Sequence, residues 1–463
     1  MKILIPFACI LLIIASCQQP IEIDQSIVLT GTITNASDNK LSLRGEDLDT
    51  TFTFEGDSFS FKFKAEAAAY YSFRTSGEYT SMYLSSGDSL NITLDASDFD
   101  NSITYSGDAA DLNQYLASGV LLKNKLPNNK DLFALNEAEF LIKLDSIADV
   151  KTALLTKKNF TNENFVKYEL AKINYEKLTN QFRLENYHRH YASEPEFEVS
   201  DGYMDNINGY DLNDSTLLVV SAYKNFLETY LSGKTDDRMK ADTIKYKPNE
   251  DGAYVEATLD QLEESVSNNM VKSTLMYDFL GPYMTYIDQD LFVGYLEMFN
   301  KINSNQKKEY KINKQFTDWK KLTKGTQAPN FKYVSFTGDS LTMDDFKGRY
   351  VYIDVWATWC GPCLRELPSL EKLQEEFKDK NITFMSVSID NTPEPWKKMV
   401  GDKEMKGVQL YADGAWNSTL VKDYMIGGIP RFILVDTDGT LISASTERPS
   451  GGIKEILEGL ERI

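Results

Sequence analysis

Two cysteines three positions apart, in Trp359-Cys360-Gly361-Pro362-Cys363, stand where a dense apolar run gives way to a helical pattern. The run, 350–356, is apolar on both faces, as a central strand must be. The pattern that follows, 362–377, sets Leu370, Leu373 and Phe377 on its inner side. A cysteine pair at i, i+3 on a helix start can close a disulfide with little backbone movement. The first of them lies at the helix N-terminus, where unpaired N–H groups and the helix dipole favour a thiolate. A thiolate is the nucleophilic form of cysteine. Pro362 suits the first turn, where its missing N–H costs nothing. The chemistry open to such a pair is thiol–disulfide exchange: Cys360 forms a mixed disulfide with a partner, and Cys363 resolves it.

A bare C-x-x-C also fits half a zinc site or a structural pair. Zinc needs two more ligands. The chain has two histidines, His188 and His190, far away in sequence. An i, i+2 pair shares a face only on a strand, and the local context is a helix end. Two surface histidines is the simplest reading, and no metal or other cofactor is expected.

Around the motif, strands and helices alternate. Strands are expected at 331–336, 350–356, 382–389 and 408–411. A hairpin is expected over 431–436 and 440–444 about Asp438-Gly439, and a closing helix over 453–463. With the full Trp-Cys-Gly-Pro-Cys string, residues 326–463 resemble an α/β thioredoxin-fold domain of the TlpA-like and ResA-like class. The resemblance implies a thiol–disulfide oxidoreductase whose redox disulfide is Cys360–Cys363, and it extends to further positions. Asp354 matches the buried acid beneath the second cysteine. A carboxyl in so apolar a strand should have a raised pKa and take the resolving thiol's proton; a purely structural Asp is the other reading. Glu366 matches an acid of the ResA-like proteins, or is an ordinary exposed helix Glu. Pro368 matches a helix-kinking proline. Ile429-Pro430 matches the cis-proline facing the disulfide, which leaves the backbone of Ile429 for a substrate strand; a trans-proline at a strand start is the alternative. Trp359 is expected to meet substrate. An extra helix near 395–399 and the strand at Val408 are typical of the same class. A peroxiredoxin is excluded, since that family wants Pro and Thr before a single peroxidatic cysteine.

The chain start points to a compartment. Met1-Lys2 is followed by an apolar run over 3–14, too short to span a bilayer as a helix. Charge, short apolar core and small residues make a secretory signal peptide over 1–16. Ile14-Ala15-Ser16-Cys17 resembles a bacterial lipobox, with Ile14 where Leu is commoner. The resemblance implies lipidation of Cys17, a tether over 17–25 and a membrane anchor in the cell envelope, facing the periplasm. Cys9 would leave with the signal. Of four cysteines, Cys360 and Cys363 would then be the remaining thiols.

The 463 residues suggest about three domains. Residues 26–107 alternate apolar and polar residues between Gly and Asp turns, which predicts an all-β sandwich or barrel. Gly31-Thr32-Ile33-Thr34-Asn35 and Ser86-Gly87-Asp88-Ser89-Leu90 resemble an uncharacterised β domain found ahead of thioredoxin modules in Bacteroidetes lipoproteins. Residues 108–321 are expected to be α-helical: Tyr168, Ala171, Tyr175, Leu178 and Phe182 recur at helical spacing. The charged stretch 234–252 breaks that pattern and is expected to be a loop. The thioredoxin-like domain occupies 326–463. A net charge of −20 argues against a nucleic-acid partner, which would require clustered Lys and Arg. The implied partners are envelope proteins with dithiols or disulfides, apocytochrome c among the candidates, and a membrane thiol electron donor. Gly-Pro between the cysteines resembles the reducing thioredoxins. A disulfide oxidase or isomerase, or a binding or scaffold lipoprotein with a secondary redox domain, remains open.

Overall fold

The computed structural model describes residues 25–463 apart from 47, 66, 208, 247–251 and 288. Residues 1–16, Cys17 and most of the expected tether lie outside the described residues. The chain forms two compact units. One holds the residues up to 208 together with 219–226; the other holds 209–218 and 227–463.

The first unit begins with eight strands: β1 (Ser26–Thr34), β2 (Lys40–Arg44), β3 (Asp49–Thr53), β4 (Ser58–Lys64), β5 (Ala69–Thr75), β6 (Glu78–Leu84), β7 (Ser89–Asp95) and β8 (Thr104–Gly107). They form two four-stranded sheets, ordered β4-β1-β7-β8 and β3-β2-β5-β6. Alternation does what the period of a strand requires: Leu29, Phe59, Phe73, Met82 and Ile92, from both sheets, enter one apolar cluster. Gly31 has to be glycine there, since a Cβ would stand 2.2 Å from the Ile92 carbonyl oxygen.

Helices Ala110–Lys123, Glu137–Thr156 and Glu163–Tyr191 follow. Asn136 and Asn162 cap the second and third, accepting from the amides of Glu139 and Phe165. Asn113, fully buried, accepts from the Tyr83 amide at 2.8 Å and donates to the Tyr83 carbonyl at 3.1 Å. Glu169 is buried and accepts from the Tyr70 hydroxyl at 2.7 Å. Burial first, and the Glu169 charge second, hold that hydroxyl protonated.

One of the two histidines departs from expectation. His190 is exposed, but His188 is 4% exposed. Its ring lies 3.9 Å from that of Phe197, and its Nε2 is 3.5 Å from Glu194. A loop that folds back over the helix end covers it, which spacing along one helix does not reveal.

The stretch 234–252 is a loop only in its second part, with turn and bend over 243–246. The helix Ser221–Ala241 runs through its first eight residues. Leu231 and Thr235 continue its buried face one turn apart. Beyond them Arg238 bonds Gln261 and pairs with Glu264. Charged residues are good helix formers, and here they decorate a helix rather than end it.

In the second unit, helices Ala253–Ser265, Asn269–Tyr283, Gln289–Ile302 and Gln306–Trp319 precede a seven-stranded sheet. Its strands are β9 (Lys332–Ser335), β10 (Ser340–Thr342), β11 (Tyr350–Trp356), β12 (Ile382–Ser388), β13 (Val408–Tyr411), β14 (Arg431–Val435) and β15 (Leu441–Ser443). Their order is β10-β9-β13-β12-β11-β14-β15. β11 is parallel to β12 and antiparallel to β14, and all seven of its residues are buried. Helices Gly361–Glu376, Pro393–Asp402, Thr419–Asp423 and Ile453–Glu458 complete this part, the last of them ending five residues short of the expected 463.

Candidate redox site

β11 ends at Trp356, and four residues later Cys360 caps the helix Gly361–Glu376. The Cys360 amide closes the turn on the Ala357 carbonyl at 3.0 Å. The structure holds Cys360 and Cys363 as a disulfide, Cα atoms 5.2 Å apart. The Cys360 Sγ accepts from the Cys363 amide at 3.1 Å. Once the bond is reduced, that donor and the helix N-terminus favour negative charge on the Cys360 sulfur. Pro362 occupies the first turn and Pro368 lies within the helix. Both cysteines are almost wholly buried, while Trp359 beside them is exposed.

Asp354 lies on β11, in register with Ser386 of β12 and Phe432 of β14. Burial pushes its carboxyl up to about 7, the Ser386 hydrogen bond opposes this, and the Glu366 charge adds to the rise. Glu366 is itself buried, not an exposed helix Glu. It accepts from the Ser450 amide at 3.0 Å and hydroxyl at 2.9 Å, with Arg448 at 3.6 Å. The Ile429–Pro430 peptide is cis. Arg431, next in the chain, pairs in register with Val355, which sets the cis-proline beside the end of β11.

Two features escaped the sequence. Asp390, 2% exposed, accepts from the Thr358 hydroxyl at 2.7 Å, the Thr358 amide at 3.1 Å and the Ser388 hydroxyl at 2.7 Å. It fixes the loop that carries Trp359 and Cys360. Arg431 is 2% exposed and donates to the Thr285 hydroxyl at 2.6 Å, tying the segment after the cis-proline to the turn 284–286. A buried Arg in a strand of Phe, Ile, Leu and Val was a visible anomaly; its partner, 146 residues earlier, was not. Cys17 lies outside the described residues. Among the described residues no helix is long and apolar enough to cross a membrane.

Residues 323–459 match the model of the Redoxin family. The thiol-disulfide oxidoreductase ResA of Bacillus cereus is 30% identical over 149 residues, 32% of this chain and 83% of its own. The chain belongs to the ResA-like thiol-disulfide oxidoreductases. The thioredoxin-like protein YneN of Bacillus subtilis is 35% identical over 92 residues, 20% of this chain and 48% of its own. Among solved structures, the thioredoxin domain of a thiol-disulfide oxidoreductase from Bacteroides vulgatus is 32% identical. It aligns over 30% of this chain and 96% of its own, with a TM-score of 0.27. As a thiol-disulfide oxidoreductase, the chain is an enzyme of the thioredoxin-like kind, and the family model starts only at residue 323.

Proposed function

We propose that this oxidoreductase is lipid-anchored through Cys17, faces the periplasm, and reduces disulfides of envelope proteins with the Cys360/Cys363 dithiol. The observation that carries the reading is the Cys360 sulfur at the helix N-terminus, accepting the Cys363 amide hydrogen. The Cys360 thiolate attacks a substrate disulfide; a mixed disulfide forms and one substrate thiolate leaves. Cys363, deprotonated by Asp354, attacks the Cys360 sulfur. The second substrate thiolate leaves and the internal disulfide closes. The substrate gains two electrons and, from solvent and Asp354, two protons. A membrane dithiol donor then reduces the enzyme. Trp359 and the backbone at Ile429-Pro430 hold the substrate strand, and Glu366 tunes Asp354. Apocytochrome c is a candidate substrate. Residues 26–107 form a β-sandwich domain, 108–321 a helical one and 326–463 the redox domain.

Insulin reduction by wild type and Cys360→Ser tests the chemistry: wild type is active and the variant is inert. Equal activity in the two proteins rules the reading out. A reduction potential near about −120 mV, that of a strong oxidant, would replace the reductase by an oxidase. Mass spectrometry of the membrane fraction tests the anchor, with acylated Cys17 as the expected N-terminal residue.

A further inference from the structure

The chain has five tryptophans. Trp319, Trp356 and Trp396 are buried. The other two, Trp359 and Trp416, are 55% and 40% exposed, and they lie against each other with ring centroids 6.3 Å apart. Apolar rings left in water and clustered together mark a surface that something else covers. This pair adjoins Cys360 directly through Trp359.

The turn that carries Trp416 is built to hold it there. Gly414 and Ala415 both have left-handed backbones, with φ of 86° and 50°. For Ala415 that conformation costs energy that a relaxed loop would avoid. The Asn417 amide donates to the Gly414 carbonyl at 2.7 Å, and the Ser418 amide to that of Ala415 at 3.0 Å. Behind the turn the Leu420 amide donates to the Tyr333 hydroxyl at 2.8 Å. Ala415 and Ser418 are buried, so the turn is anchored on both sides of an exposed indole. A ring fixed before its ligand arrives loses little entropy on binding.

We propose that Trp416 is a specificity residue that, with Trp359, forms a two-indole platform for an apolar or aromatic side chain flanking the cystine of an extended polypeptide substrate. This rests on the reading of Cys360 as the nucleophile. Flat, rigid rings favour such side chains through burial and stacking. A small disulfide presents nothing to reach Trp416, so the residue sorts substrates without touching the sulfurs.

The test uses the full chain, reduced by a chemical dithiol, with a cyclic disulfide peptide bearing Phe beside its cystine and with bis(2-hydroxyethyl) disulfide. Trp416→Ala should lower the ratio of kcat/KM for the Phe peptide over the small disulfide about tenfold, mainly through KM. Trp416→Phe should restore most of that ratio. A ratio unchanged in Trp416→Ala overturns the proposal, because a merely structural defect lowers both rates together. Wild type inert on both substrates would instead overturn the nucleophile reading, and this inference with it.

Discussion

At the scale of single residues, Asp354 carries the clearest physical signature. Its ionised form is disfavoured by burial, so its carboxyl titrates near 7 rather than 3.8. Between those values the folded chain binds a proton that the unfolded chain has released, and stability therefore falls as pH rises through the window. Above it, the ionised Asp354 costs on the order of 4 kcal/mol. Asp354→Asn should accordingly raise the thermal midpoint at pH 8.5 and leave it nearly unchanged at pH 4, as calorimetry would show. The same variant should slow resolution of the mixed disulfide, which stopped-flow quenching of Trp359 can follow. Asp354 was legible in the sequence because it sits in a seven-residue strand that is otherwise apolar or aromatic. Asp390 was not. It follows β12 in sequence but serves Thr358, 32 residues earlier, and only the parallel pairing of β11 with β12 joins them.

Among elements, the loop between β11 and its helix is held both by its own turn from Ala357 to Cys360 and, from outside, by Asp390. Replacing Asp390 by Ala leaves the Thr358 amide and two hydroxyls without their acceptor. Loss of a buried acceptor costs about 1–3 kcal/mol per orphaned donor. Asp390→Ala should lower the urea midpoint and also reduce kcat/KM for insulin, since Cys360 loses its fixed approach; unchanged kinetics would show that the loop holds itself. Six of the seven strands of the C-terminal sheet were legible to within about two residues, most plainly β11, β12 and β14, because strands buried on both faces leave unbroken apolar runs; the three-residue edge strand β10, half-exposed and without such a run, was not. The helix Ser221–Ala241 departs from expectation at its C-terminal end for the opposite reason. Its last two turns carry Lys, Asp and Arg, and the contacts of Leu231, Thr235 and Arg238 that justify them come from other segments.

For the molecule as a whole, the pairing of Arg431 with Thr285 means that the redox fold does not end where its family match begins. A fragment starting at 323 loses Thr285, whereas one starting at 253 keeps it. Both should fold, and the longer should unfold at the higher denaturant concentration. Equal midpoints would mean that the pairing contributes nothing measurable. Segments of the chain also differ in what sequence could reveal. The motif that announces the redox chemistry is contiguous, but the helical segments carry apolar stripes without any chemistry attached, and stripes do not say what they pack on. The Asn113 amide has a consequence of its own. β6 is the outer strand of its sheet, a rim that would offer unpaired peptide groups to another chain were it bare; at Tyr83 the helix Ala110–Lys123 buries it completely. By occupying both groups of Tyr83, Asn113 closes one rung of that rim. Asn113→Ala should therefore form intermolecular aggregates on mild heating, visible by light scattering, before the wild type does. A single amide on a neighbouring helix would then act as a guard against fibrillar self-association.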